Sequence, residues 1–136
     1  MNFTFPKSER LTQEKVIEIL FKKDNPIVSE QFVYPFRVLY LSQTSDYPAP
    51  QILISISKRK FKKAVDRNLL KRRIREAYRL NKPNFHQINE KKLPQYIAFI
   101  YIGKTIEPFQ LIQKKMIHLL DILSKPTPST AENEKI

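Results

Sequence analysis

Asn68, Lys71, Arg72, Arg75 and Arg79 recur mostly three or four positions apart along "RNLLKRRIREAYR", the spacing that lines side chains along one side of an α-helix. A guanidinium binds phosphate oxygens through two parallel N–H donors, which an ammonium cannot do, and an amide can donate to phosphate or ribose. The chemistry of such a row is the binding of a polyanion. Bond cleavage by the chain itself has no comparable constellation. Metal-assisted phosphodiester hydrolysis needs converging carboxylates or imidazoles. Asp66 and Glu76 stand ten residues apart, ~280° around a helix, so they diverge. His86 and His118 have no ligand-like spacing,. The chain has no Cys and one Gly, which removes thiol catalysis, thiolate metal sites and Gly-rich phosphate loops. No catalytic residue and no metal ligand is therefore assigned.

The cations are concentrated. Residues 58–82 hold 12 of the 25 Lys and Arg against only Asp66 and Glu76, so this window carries 12 − 2 = +10 of the formal +12. A solvated helix face ordinarily mixes signs, because opposite charges four residues apart stabilise a helix. Here Lys71 faces Arg75 and Arg75 faces Arg79, each like-charge pair costing a few tenths of a kcal/mol when unliganded. Tolerance of that repulsion points to an anionic ligand, and nucleic acid fits an Arg-rich ridge better than an anionic membrane surface does. Lys58 and Arg59 extend the basic segment towards the N-terminus.

The elements that must position these groups follow from periodicity. With Leu70 at zero on a helical wheel, Ile74, Ala77 and Tyr78 fall between ~−20° and ~80°, a buried stripe. Asn68, Lys71, Arg72, Arg75, Arg79 and Lys82 fall between ~100° and ~200°, one ridge beside it. The spacing predicts this helix over about 64–81, ended by Pro83. An amphipathic helix is expected over about 9–23, capped by Ser8 or Thr12 and stopped by Asp24-Asn25-Pro26. "EQFVYPFRVLYLSQ" reads as a strand, edge or bulged at Pro35, with Phe32, Tyr34, Phe36, Val38 and Tyr40 on one face. "TSDYPAP" is a loop. "QILISISK" alternates, with Ile52, Ile54 and Ile56 together. "PQYIAFIYIGK" is a strand buried on both faces. A final amphipathic helix has Pro108 in its first turn. The reading is one domain over 1–123, with 124–136 expected to be disordered. No apolar run approaches the ~20 residues of a membrane span, so a cytoplasmic location is expected.

"AVDRNLLKRRIREAYR" resembles the Arg-Asn-Arg signature of the bacterial ribonuclease P protein component. Ala64, Val65, Arg67, Asn68, Lys71, Arg72 and Arg75 match that signature position by position. The flanks "RLTQEKVIEILFK", "FRVLYL", "ISISKR" and "YIAFIYIGK" are similar in order, over about residues 9–123. The family often has Gly in the turn before Ala64, where this chain reads "KRKFKK". It also often places two aromatics on the N-terminal helix; here Ile17 stands at the first position and Phe21 at the second.

The resemblance implies an α+β fold, an αβββαβα two-layer sandwich like one ribosomal protein domain. It implies a left-handed βαβ crossover, where the ordinary rule gives a right-handed one, and a short first strand in "PIVSE". The implied function is that of the protein subunit of a ribonucleoprotein that removes the 5′ leader from precursor tRNA. The RNA subunit is then the catalyst and binds most of the Mg²⁺. The basic helix would seat the protein on the RNA subunit through Arg67, Asn68, Lys71, Arg72, Arg75 and Arg79, with Lys58 and Arg59, while Phe21, Tyr40 and Phe36 line a cleft for the single-stranded leader. For Phe36 core packing is the stronger expectation. The alternative is a ribosomal or other structured-RNA-binding protein of similar fold.

Overall fold

The computed structural model describes residues 10–23, 25–41, 50–82 and 94–124. Ser8, Asp24, Pro83, His86, nearly all of the "TSDYPAP" loop and the tail 125–136 lie outside them. The described elements run α1 (Glu14–Phe21), β1 (Ser29–Val33), β2 (Phe36–Leu41), β3 (Gln51–Ile56), α2 (Ala64–Asn81), β4 (Tyr96–Tyr101) and α3 (Phe109–Ser124). That is the order αβββαβα. The four strands form one mixed sheet in the order β1-β2-β4-β3, in which only β3 and β4 are parallel. β4 is central, and its run YIAFIY is buried on both faces except at half-exposed Ile100, as an inner strand requires.

Two cores share the sheet. On one face Phe36, Val38, Ile52, Ile56, Ile97, Phe99 and Tyr101 pack against Leu70, Ile74, Ala77 and Tyr78 of α2. Ile112, Met116, Leu119, Leu120 and Leu123 of α3 close the same cluster. The stripe expected of α2 is thus the buried one. On the reverse face Leu11 and Leu20 pack with Leu39, Leu41, Tyr96 and Ala98. The short α1 lies there.

Two boundaries differ from the sequence reading. α1 begins at Glu14 rather than near residue 9. Arg10 bridges Ile52 in parallel and the Leu11 amide donates to the Ile52 carbonyl at 2.8 Å. The chain before α1 therefore covers the outer edge of β3 instead of starting a helix. The single strand expected over 30–43 is a hairpin. Pro35 lacks an N–H for a ladder, and the chain reverses at Tyr34-Pro35, a cis peptide bond. β1 then pairs with β2 with Phe32 opposite Arg37. The first strand, Ser29–Val33, begins within the "PIVSE" segment and runs three residues beyond it.

Gly103, the only glycine, sits where the chain after β4 passes that hairpin. The Ile102 amide donates to the Pro35 carbonyl at 2.7 Å. A Cβ on residue 103 would stand 2.9 Å from the Tyr101 ring and 3.0 Å from Pro35 Cβ. Tyr101 is buried and held by its hydroxyl, which donates to the Thr105 carbonyl at 2.7 Å. We expect Gly103→Ala to destabilise the fold by ~1–3 kcal/mol through overpacking, read as a melting temperature lower by several degrees.

Candidate RNA interface

α2 places its cations by the side it buries. Leu70, Ile74, Ala77 and Tyr78 have no exposure, so the opposite side must face solvent. Asn68 and Arg72 are exposed there, and Lys71 and Arg75 are half-buried. Arg75 Nε is a buried donor with no acceptor among the described residues, a condition that costs on the order of 1–3 kcal/mol when nothing satisfies it.

Four other cations of the segment are occupied differently. Arg79 forms a two-point pair with Glu76, Nε to Oε1 at 3.0 Å and Nη2 to Oε2 at 2.5 Å. The hydrogen bonds from Arg79 hold the Glu76 carboxyl below its ordinary range, against a smaller opposing effect of burial. A depressed carboxylate contributes stability that is present above its unfolded pKa and lost as pH falls through the folded one. At neutral pH the pair is formed, and Arg79 is a weaker member of the ridge than its wheel position suggests. Lys82, expected on the ridge, is 3% exposed with its ammonium 5.9 Å from the Tyr78 ring centre. It is a packed residue, because α2 ends there against the core. Arg73 points away from the ridge and donates to the Glu107 carbonyl at 2.5 Å, tying α2 to the segment before α3. Arg67, at ~60° on the wheel, stands beside the buried stripe rather than on the ridge. Its Nη1 donates to the carbonyls of Phe61 and Lys62 at 2.8 and 2.9 Å.

The turn before α2 is basic and well anchored. Ser57 Oγ accepts from the Arg59 and Lys60 amides, both at 3.2 Å, and the Phe61 amide donates to the Ser57 carbonyl at 3.0 Å. Phe61 is buried, its ring centre 5.9 Å from that of Tyr101. Lys58, Arg59, Lys62 and Lys63 are exposed on this frame.

The three aromatics expected to line a cleft lie on different faces of the sheet. Phe36 is fully buried in the core under α2 and α3, and Tyr40 packs against the same cluster. Phe21 is on α1, across the sheet, and 43% exposed. The three do not converge, because Phe36 and Tyr40 share the face opposite α1. The register instead places Phe32, Arg37, Ile100 and Ser55 in one row on the α1 side. The next rows, with Leu39, Leu41, Tyr96 and Ala98, are the ones buried with α1. The Phe32 row stays open, with Phe32 62% exposed and Arg37 paired to Glu30. Its Ser55 end leads directly into Lys58 and Arg59. Unbroken period-two alternation puts Phe32 with Phe36, and the reversal at Pro35 moves it to the face of Arg37.

Among the described residues, no three His, Asp or Glu side chains come together as a metal site. No helix among them is long and apolar enough to cross a membrane.

A family model described as Ribonuclease P matches residues 5–124. This chain belongs to the ribonuclease P protein family. The ribonuclease P protein component of Porphyromonas gingivalis W83 is 34% identical over 131 residues, covering 95% of this chain and 93% of that protein. The solved ribonuclease P protein of Thermotoga maritima superposes with a TM-score of 0.64 at 26% identity, covering 86% of this chain and 99% of the other. That of Staphylococcus aureus gives 0.63 at 24% identity, covering 89% and 93%, and shares the fold. The chain functions as the protein component of ribonuclease P, an RNA-catalysed ribonuclease acting on precursor tRNA.

Within that family role, the charges of α2 have separable expected effects. Arg75→Ala should weaken binding to the RNA subunit more than Arg79→Ala does, since Glu76 already neutralises Arg79. Arg73→Ala should leave the affinity of the folded protein nearly unchanged and cost stability instead, about 1.5–3 kcal/mol for a charged hydrogen bond. Affinity titrations beside thermal melts separate the two. Equal losses of affinity in all three would mean that diffuse charge does the binding.

Proposed function

We propose that the RNA subunit of ribonuclease P sits on the ridge of Asn68, Lys71, Arg72 and Arg75, continued by Lys58 and Arg59. The observation that carries this is the sidedness of α2: its stripe is wholly buried, and Arg75 Nε meets no acceptor among the described residues. A phosphate oxygen would supply the missing acceptor and relieve the repulsion along the ridge. Mg²⁺ belongs mainly to the RNA subunit, and the protein lowers the cost of folding and docking two polyanions. The setting is the cytoplasm. Identifying the RNA that copurifies with the tagged protein tests the reading. One structured RNA of several hundred nucleotides supports it, whereas ribosomal RNA would replace it with the ribosomal alternative.

The single-stranded leader of precursor tRNA lies on the reverse face of the sheet, between α1 and the open row. Single strands are held by aromatic platforms beside positive charge, since stacking tolerates any base. Phe21 and Phe32 are the platforms exposed there, and the basic turn supplies charge at the Ser55 end of a strip about 14 Å wide, three strand spacings. Phe21→Ala and Phe32→Ala should each weaken holoenzyme binding of leader-bearing tRNA by ~1–3 kcal/mol per lost stack. Mature tRNA should bind as before, and Tyr40→Ala should have the smaller effect on the leader. If leader-bearing and mature tRNA lose affinity alike, the strip is not the leader site.

A further inference from the structure

We propose that Arg67 is a positioning residue: it fixes the basic turn 57–63 in register with the ridge and is not itself a principal phosphate ligand. This rests on the reading of α2 and the turn as the seat of the RNA subunit. A guanidinium nitrogen of the Nη type carries two N–H donors, and both donors of Arg67 Nη1 are taken up by the Phe61 and Lys62 carbonyls. Those carbonyls belong to the last residues of the turn before α2, five and six positions earlier in the chain. Arg67 thereby closes the turn onto the first coil of the helix.

The turn needs such closure. Five of the six residues 58–63 are Lys or Arg, and like charges this close favour spreading of the loop. The turn also has no glycine to supply a tight conformation,. Its shape therefore rests on a few anchors. Phe61 is sunk in the core, Ser57 accepts two amides, Lys60 Nζ reaches the Ile102 carbonyl at 3.3 Å, and Arg67 holds the far end. Three of these fix the start and middle. Phe61 packs in the same cluster as the buried stripe of α2, and Arg67 adds the side-chain hydrogen bonds that tie the turn's backbone to α2, so it sets the distance and orientation of Lys58, Arg59 and Lys62 relative to Lys71, Arg72 and Arg75. Pre-fixing several cations in one geometry lets them engage a folded RNA together, without ordering each long side chain separately on binding.

The test uses Arg67→Met, which keeps the packed stem and removes the guanidinium, in salt titrations of binding to the RNA subunit. A residue that merely contacts one phosphate lowers the slope of log K against log salt by about 0.7–0.9. Positioning predicts a loss of about 1.5 units, because Lys58 and Arg59 both disengage. It also predicts non-additivity: once Lys58→Ala and Arg59→Ala are in place, Arg67→Met has little further effect on affinity. Faster hydrogen exchange at the Phe61 amide, with melting retained, accompanies the expected result. Loss of about one unit, additive with the Lys58 and Arg59 changes, overturns the proposal. If Arg67→Met does not fold, Arg67→Gln, which retains a donor for one carbonyl, is read by the same cycle. Failure of the underlying reading looks different: the parent titration would itself be flat and Arg75→Ala silent.

Discussion

Raising monovalent salt from 50 to 200 mM is expected to weaken binding of this protein to the ribonuclease P RNA by about two orders of magnitude. Each phosphate neutralised releases condensed counterions and contributes roughly 0.7–0.9 to the slope of log K against log salt. If Lys58, Arg59, Lys71, Arg72 and Arg75 each engage one phosphate, the slope is about −4, and a fourfold rise in salt costs ~10²-fold or slightly more. Replacing Lys71, Arg72 and Arg75 together by Ala should flatten the slope by two to three units. The same triple variant should be rescued in part by added Mg²⁺, which supplies screening that the ridge otherwise provides. Because +10 of the formal +12 charge lies in residues 58–82, this is the largest electrostatic effect available to the molecule. A flat titration would remove the ridge as the binding surface.

The second large effect is all-or-none. The purified chain with Mg²⁺ should not cleave precursor tRNA, and addition of the cognate RNA subunit should give a single cut at the mature 5′ end. The reason is geometric. Phosphodiester cleavage assisted by metal ions needs ligands that converge on one or two ions about 4 Å apart. Asp66 and Glu76 leave α2 in different directions, and Glu76 is held by Arg79. His118 is exposed on α3, and no acidic or imidazole cluster occurs among the described residues. The protein should matter most at low Mg²⁺ and moderate salt, where its cations substitute for missing counterions. Specific cleavage by rigorously RNA-free protein would place the chemistry in the chain and overturn this account.

Between them these experiments divide labour inside one small basic segment. Lys71, Arg72 and Arg75 are the proposed phosphate ligands, Arg73 braces α2 against the segment before α3, and Arg79 is largely neutralised in place. Counting positive charges would treat all five alike. Their separate roles come from what each guanidinium or ammonium meets within a few ångströms, which is why single substitutions are more informative here than net charge.

How much of this was legible in the residues themselves depends on the range of the interaction. The buried stripe Leu70, Ile74, Ala77 and Tyr78, the alternation of Ile52, Ile54 and Ile56, and the doubly buried run at 96–101 are written in local periodicity. A helix turn or a strand pleat is decided within a few residues, so those assignments hold before any tertiary contact forms. The motif from Ala64 to Arg75 likewise carries the family resemblance in the sequence, through residue types at fixed positions. The tertiary structure alone decided which face of the sheet each aromatic joined. Reversal at Pro35 pairs Phe32 with Arg37 and turns Tyr40 away from α1, and strand pairing over that distance leaves no mark in a period-two pattern. It also decided the fates of the long side chains, placing Arg67 on two carbonyls, Arg79 on Glu76 and Lys82 over Tyr78. Flexible stems of this kind can reach several partners, and only the assembled surroundings select one.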